Sequence, residues 1–563
     1  MNKEKKEKIS KYALLALLVA MAFLFIGRGV DFSDSGYNVS NFVNFPNVNR
    51  TWMLSTVLSM AIGKVLTFLP FGHTLLGIKI YCALIVAAFA GAFYMTLSKV
   101  FSPVFVFAGE AMAFLVAWCP YVILYHYLSY FFFAAAGLLL AKGLSEDNNL
   151  KIALSGALLA LNVFICFPNI CEAALGILII IDMAVQRKNR AKEIGIFAGA
   201  YLFVLIVGVG LNTLIFGKDA YPDMIGGLFS ISKDAPSYSP LNMVLTILDG
   251  YRWDIWYFVA IAVVTIAGAM LYVKYRGKKL APVITVLVTC FTLGILRIMR
   301  YYGRITFEYK EYSCYYAVGI LLVMFSIVIG VACVFNKKLS VYERLLAALV
   351  PIIIFITPIG SNNGMYTIYC ALFPVFPILF GLIFKSENRV FSAAPVKASV
   401  AVIALLLIVQ GVLFRVNFVF RDLSESYVML TKEDSKVLAG NRTSPEKKAY
   451  IAEFDRFLED NDLKGKDTII FGHIPMTSFA FNLPNAISHI WPSLDSYTYE
   501  ELERELSELK DTPLFVYHSD YGDLLTKDLD ECYTKKEVLL ATYLRENNYR
   551  VVFRNEYFTL CDD

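Results

Sequence analysis

The chain has 563 residues, of which 58% are hydrophobic, and its mean hydropathy is +0.58. So much apolar surface excludes an ordinary soluble domain and reads as a polytopic membrane protein. The net charge of +4 is unevenly spread: from residue 420 onward 17 Lys and Arg stand against 28 Asp and Glu, whereas the remainder carries 34 against 19. Two solvents are implied, one for a membrane body over residues 1–419 and one for an acidic, water-exposed domain over 420–563.

Hydrocarbon is crossed by about 20 apolar residues. Thirteen runs approach that length, at roughly 11–27, 73–97, 103–119, 127–144, 151–167, 170–187, 195–216, 255–274, 281–298, 313–334, 344–360, 365–385 and 397–415. The first follows "MNKEKKEKISK", but "FIGRGV" offers no small-x-small cleavage site, so it is expected to remain as an anchor. The N-terminus and the loops "QRKNRAKE", "VKYRGKKL", "FNKKLSVYER" and "KSENR" are basic, whereas loops near residues 120, 168 and 362 lack Lys and Arg. This bias predicts a cytoplasmic N-terminus and external segments at 28–72, 217–254, 299–312 and the whole tail.

The first external segment opens with "DFSDSGYNVSNF", which places Asp31, Asp34, Gly36 and Tyr37 at the lip of a bilayer. Asp31 and Asp34 are also good helix-capping types. Beyond them, "TWMLSTVLSMAIGKVLTFL" repeats Thr51, Ser55, Ser59, Gly63 and Thr67 every four residues, with Thr56 and Lys64 beside them. That polar stripe predicts an amphipathic helix lying on the outer surface.

The tail has a different rhythm. "DTIIFGH", "PLFVYHS" and "YRVVF" read as strands and "KVLAG" as a weaker fourth. Helices are expected over 445–461, starting at Ser444-Pro445, and over 499–510, starting at the capping box Thr498-x-x-Glu501. A small α/β domain follows. It has no P-loop and no Gly-x-Gly-x-x-Gly after a strand. Eight of the ten cysteines fall in or beside apolar runs and pack as small hydrophobes. Cys532 and Cys561 either pair or remain two free thiols. No Cys/His cluster has zinc spacing.

This order of anchor, acidic external loop, in-plane helix, many spans and outer C-terminal domain resembles the GT-C superfamily of integral-membrane glycosyltransferases. Its architecture is similar to protein O-mannosyltransferases and lipid A aminoarabinose transferases. "DSGY" looks like the acidic motif of that superfamily's first external loop, with Ser35 where a second acid is common. "GALLALNVFICFPNICEAALGILII", "YHYLSY" and "PIGSNNG" sit where the superfamily breaks spans or builds its donor pocket.

The resemblance implies a fold of about 13 transmembrane helices with a small extracytoplasmic α/β domain, in a bacterial-type plasma membrane. It implies inverting transfer of a sugar from a polyprenyl-phosphate donor to an external glycan, lipid or protein acceptor, with no nucleic acid involved. Asp34 would act as the base that takes the acceptor proton, with Asp31 the second candidate. The departing phosphate calls for cations. "RIMRYYGRITFEYKEY" offers Arg297, Arg300, Arg304 and Lys310, and His126 is a further donor. Tyr37, Tyr301, Tyr302 and Glu172 would line the substrate pocket. Asp254 is expected to pair with Arg252, Asp182 to reach water, and Glu110 to stand inside an apolar run. No resident cofactor is required; a divalent cation is compatible but not indicated. The competing classes are a flippase or transporter of lipid-linked sugars and a glycan polymerase or ligase of another membrane fold. A transporter would be expected to show paired repeats, which the sequence lacks.

Overall fold

The computed structural model describes residues 3–234, 239–309, 311–361, 363–385, 390–422 and 429–563. All thirteen apolar runs are helical, but they differ in reach. Among the described residues eight helices are long and apolar enough to cross a membrane, Leu75–Leu97, Leu124–Ser145 and Ala394–Asn417 among them. A ninth span results if Gly364–Cys370 and Val375–Phe384 are taken together, although they meet at a 71° bend. Pro374 and Pro377 at this joint remove backbone donors that a continuous helix would use.

The other four runs fall short of the expected thirteen spans. Pro103–Val116 has 14 residues, Asn149–Ile165 has 17 and Val341–Ile356 has 16. The apolar part of the first helix is Ile9–Met21. At 1.5 Å per residue these helices measure about 20–26 Å, less than the roughly 30 Å of bilayer hydrocarbon.

Helix Asp34–Asn44 lies in the segment 28–72 and is followed by Arg50–Ser55 and Val57–Phe68, broken at Thr56. Here the structure reverses the expected orientation of the polar stripe. Thr51, Ser55, Ser59 and Gly63 are buried, while Val65, Phe68 and Leu69 are exposed. Small residues allow close packing: a Cβ at Gly63 would stand 2.2 Å from the Phe42 ring. The hydroxyls satisfy themselves on backbone carbonyls, Ser55 Oγ on Thr51 (2.6 Å) and Ser59 Oγ on Thr56 and Ile165 (2.8 and 3.2 Å). The stripe is a packing face.

The segment between residues 217 and 254 is also helical, as Ala220–Asp234 and Pro240–Arg252.

The C-terminal domain is built on a four-stranded sheet in the order Thr468–Phe471, Leu514–His518, Phe558–Asp562, Arg550–Arg554. The first pair is parallel, with Ile470 opposite Val516, and the other two pairings are antiparallel. Helices Pro445–Asp460 and Tyr499–Glu508 start at the expected caps: Ser444 accepts from the Lys447 amide, and Thr498 and Glu501 close their capping box. The fourth strand is "FTLCD", not "KVLAG". The latter forms turns beside a two-residue ladder pairing Thr431–Lys432 with Arg442–Thr443. Cys532 and Cys561 are both free thiols.

One apolar core runs from the segment 28–72 into this domain. It joins Phe32, Tyr37 and Phe42 to Phe454, Phe481, Trp491 and Phe558. The acidic domain therefore rests directly on the loop that carries the two aspartates.

Candidate functional site

Asp34 is the first residue of helix Asp34–Asn44, and its Oδ2 meets Arg421 Nε at 2.9 Å. Its side chain is one-third exposed. Burial raises the Asp34 pKa to about 6; nearby Asp31 adds to the rise and Arg421 opposes it. A carboxylate with this pKa is ionised at neutral pH and is basic enough to take a proton. Arg421 holds its position with φ at 48°, a left-handed conformation uncommon for a side-chain-bearing residue.

Asp31 has a different task. Its Oδ1 accepts from the Ser33 amide (2.9 Å) and hydroxyl (2.6 Å), and its Oδ2 from the Ser35 amide (2.6 Å). The side chain is buried and caps the start of the helix. Its hydrogen bonds hold the turn on which Asp34 stands.

Gly36 serves packing. It lies inside the helix, where a Cβ would stand 2.5 Å from Met476 N. Its role is to let the Met476 backbone approach.

Beside this helix start lies a cavity of ≈ 100 Å³, lined by Asp31 and Ser35 together with Arg28, Lys79 and Arg415. Trp118, Phe418 and Phe420 form part of its apolar wall. Lys79 donates to Gly29 O (2.6 Å) and Asn441 Oδ1 (2.8 Å), and Arg415 to Phe114 O (2.5 Å). These cations are thus oriented by neutral oxygens, with the Asp31 carboxylate lining the same cavity. The Arg421 guanidinium lies 5.7 Å from the ring of Phe420, connecting the cavity wall to Asp34.

The cluster at residues 297–310 is not brought to this cavity. Arg304 is held bidentately by Asp254, at 3.1 and 2.8 Å, which also corrects the expected Asp254–Arg252 pair. Arg252 instead meets Asp249 at 3.6 Å. Arg300 stacks over Phe307 at 4.6 Å, and Arg297, Tyr301 and Tyr302 are exposed. Lys310 lies outside the described residues, as does part of "KSENR".

The remaining candidates also have structural tasks. His126 Nδ1 is engaged by Tyr130 OH at 2.7 Å. Glu172 is buried and accepts from the Asn162 amide. Tyr37 is 5% exposed and packs against Trp52, His489 and Trp491. Trp491 N–H donates to His489 Nδ1, so the neutral ring keeps its proton on Nε2 and donates it to Tyr37 OH (3.1 Å). Asp182 is fully buried against Arg190 (2.8 Å) and does not reach water. Glu110 is also fully buried, with neither carboxyl oxygen hydrogen-bonded among the described residues.

Sequence reasoning missed Arg28, Lys79, Arg415 and Arg421, and also the buried pair Lys447–Asp422 (2.8 Å). Lys447 Nζ donates to Val30 O at 2.7 Å, and Val30 N donates to Asp422 Oδ2 at 2.7 Å. The pair thereby locks the loop at Val30 to the C-terminal domain. A usable signal existed for Arg28, Lys79 and Arg415: each is a basic residue at the end of an apolar run predicted to face outward, against the usual charge bias.

No group of three or more His, Cys, Asp and Glu able to hold a metal ion occurs among the described residues. Comparison with protein-family models returns no match, and neither does a search of curated protein sequences.

Proposed function

We propose that the chain is a membrane glycosyltransferase of GT-C type, taking a sugar from a polyprenyl-phosphate donor and passing it to an extracytoplasmic acceptor. The observation that carries this reading is a small cation-lined cavity with an apolar wall, whose lining residues Asp31 and Ser35 flank Asp34 in the chain, a carboxylate with a pKa of about 6. In this reading the donor phosphate enters the cavity among Arg28, Lys79 and Arg415, and its lipid tail leaves along the apolar wall toward the bilayer. Asp34 takes the proton of the acceptor hydroxyl, whose oxygen attacks the anomeric carbon from the face opposite the phosphate. The carbon–oxygen bond to phosphate breaks, and its electron pair leaves with the phosphate. One displacement inverts the anomeric centre. Arg421 keeps Asp34 oriented, and Asp31 fixes the helix turn beneath it.

The topology proposed with it has thirteen crossings, the four short helices included, with the N-terminus cytoplasmic and the C-terminal domain outside a bacterial-type plasma membrane. An odd number of crossings puts the aspartates, the cavity cations and the acidic domain on one side. A divalent cation is not needed by the charge arrangement, because guanidinium and ammonium groups are present where phosphate charge would develop.

The test is turnover of a radiolabelled polyprenyl-phosphate sugar by protein reconstituted in nanodiscs. Wild-type protein is expected to release the sugar to an acceptor or to water, and Lys79→Gln and Arg415→Gln to raise the donor KM at least tenfold. Absence of turnover with every donor, combined with lipid scrambling in vesicles, would replace this reading with that of a flippase.

A further inference from the structure

The C-terminal sheet presents two histidines at one edge. Strands Thr468–Phe471 and Leu514–His518 run parallel, and His473 and His518 stand at their carboxyl ends. Gly472, with φ at 89°, joins the first strand to His473; a Cβ there would stand 2.7 Å from Tyr521 and 3.1 Å from the His518 Cβ. The carboxyl edge of adjacent parallel strands is where open α/β sheets present ligand-binding groups.

This edge is docked onto the helix that carries Asp34. Met476 N donates to Phe32 O at 2.9 Å, and Ser40 Oγ donates to Pro475 O at 2.9 Å. The close approach at Gly36 fixes the same loop against the first turn of the helix. His473, three residues before Met476, is exposed, with its ring edge-on to Trp491 at 5.4 Å. His518 differs: it is nearly buried, and its Nδ1 faces Asp520 Oδ2 at 3.2 Å. Only His473 of the pair is open to a ligand.

We propose that the acceptor half of the site is built by the C-terminal domain, with His473 hydrogen-bonding a hydroxyl-bearing acceptor beside Asp34 and Arg421. This rests on the transferase reading above and adds what the second domain contributes to it. Burial lowers the His473 pKa, Arg421 lowers it further, and Asp520 and Asp31 oppose them, so the imidazole is neutral at pH 7. A neutral ring can accept from one hydroxyl and donate to another, as a polyol acceptor requires. The cavity among Arg28, Lys79 and Arg415 is left to the donor phosphate.

The experiment measures how released sugar divides between water and an added acceptor, octyl β-glucoside, in nanodiscs carrying radiolabelled polyprenyl-phosphate sugar. Wild-type protein is expected to favour the glucoside beyond its molar ratio to water. His473→Ala is expected to lower that preference at least tenfold, and His473→Gln, which keeps a donor and an acceptor, to restore part of it. A preference unmoved by His473→Ala would overturn the proposal. So would a wild-type protein with no preference. A wild-type protein that turns over no donor would instead sink the transferase reading beneath it.

Discussion

Lys447→Met removes the ammonium from a site where it is 2% exposed and leaves the Asp422 carboxylate fully buried. Three separated pieces of chain meet there: Val30 from the loop after the first helix, Asp422 beyond helix Ala394–Asn417, and Lys447 in the first helix of the C-terminal domain. Stranding one member of a buried ion pair costs about 3–5 kcal/mol. Asp422 keeps its bond from Val30 N at 2.7 Å and those from Thr443 Oγ1 to its two oxygens at 3.0 and 2.9 Å, so the lower half of that range is expected. Asp422→Leu should cost a similar amount, because it strands the ammonium. The double variant Lys447→Met/Asp422→Leu should cost markedly less than the two together, since no unpaired charge remains. Membrane proteins often unfold irreversibly, so the suitable assay is the rate of protease cleavage near residues 423–444 in nanodiscs, read beside thermal inactivation. Single variants within about 1 kcal/mol of wild type, or strictly additive costs, would refute the reasoning.

Other consequences are smaller in scope. Asp34→Asn should stabilise the fold at pH 7, because the raised pKa means that folding disfavours the ionised form; the gain is at most about 3 kcal/mol, less solvent screening at a one-third-exposed side chain. By the same linkage, wild-type stability should fall as pH rises from about 4 to 6, and the Asn variant should lack that slope. Transfer itself should decline about tenfold per unit below pH 6, measurable as donor turnover. Gly36→Ala should force the Met476 backbone away from the helix, costing about 1–3 kcal/mol, and loosen the C-terminal domain toward protease. Arg304→Ala should destabilise the chain by stranding Asp254 yet leave the donor KM within about twofold, since Arg304 lies outside the cavity lining.

Much of the fold was legible because it is written locally. Apolar length marked every one of the thirteen helical runs, and the caps at Ser444 and Thr498 marked two helix starts. Length alone could not say which helices reach across a bilayer, since apolar residues flanking Pro103–Val116 and Val341–Ile356 leave the helix before their runs end. The strand Phe558–Asp562 was missed because a three-residue turn couples it to Arg550–Arg554, so that the hairpin reads as a single segment. The buried stripe of Ser55, Ser59 and Gly63 looks polar in sequence, but its hydroxyls are consumed by their own helix and by Ile165.

The site was half legible. Asp34 stood out as an acid at the lip, but its partner Arg421 is 387 residues distant, and nothing local marks the pair. Density of charge pointed to 297–310, whereas in the fold Arg304 is neutralised by Asp254. The three cations lining the cavity come from three widely separated stretches of chain, one each, so no local cluster announces them.

The central claim is that Asp34 removes the acceptor proton. Its most direct measurement compares wild type and Asp34→Asn for release of radiolabelled sugar from a polyprenyl-phosphate donor, at pH 7.5 and in matched nanodiscs. A loss of about 10²–10⁴-fold in kcat, with donor KM little changed, is the predicted result. An Asn variant that turns over donor within about threefold of wild type would contradict it.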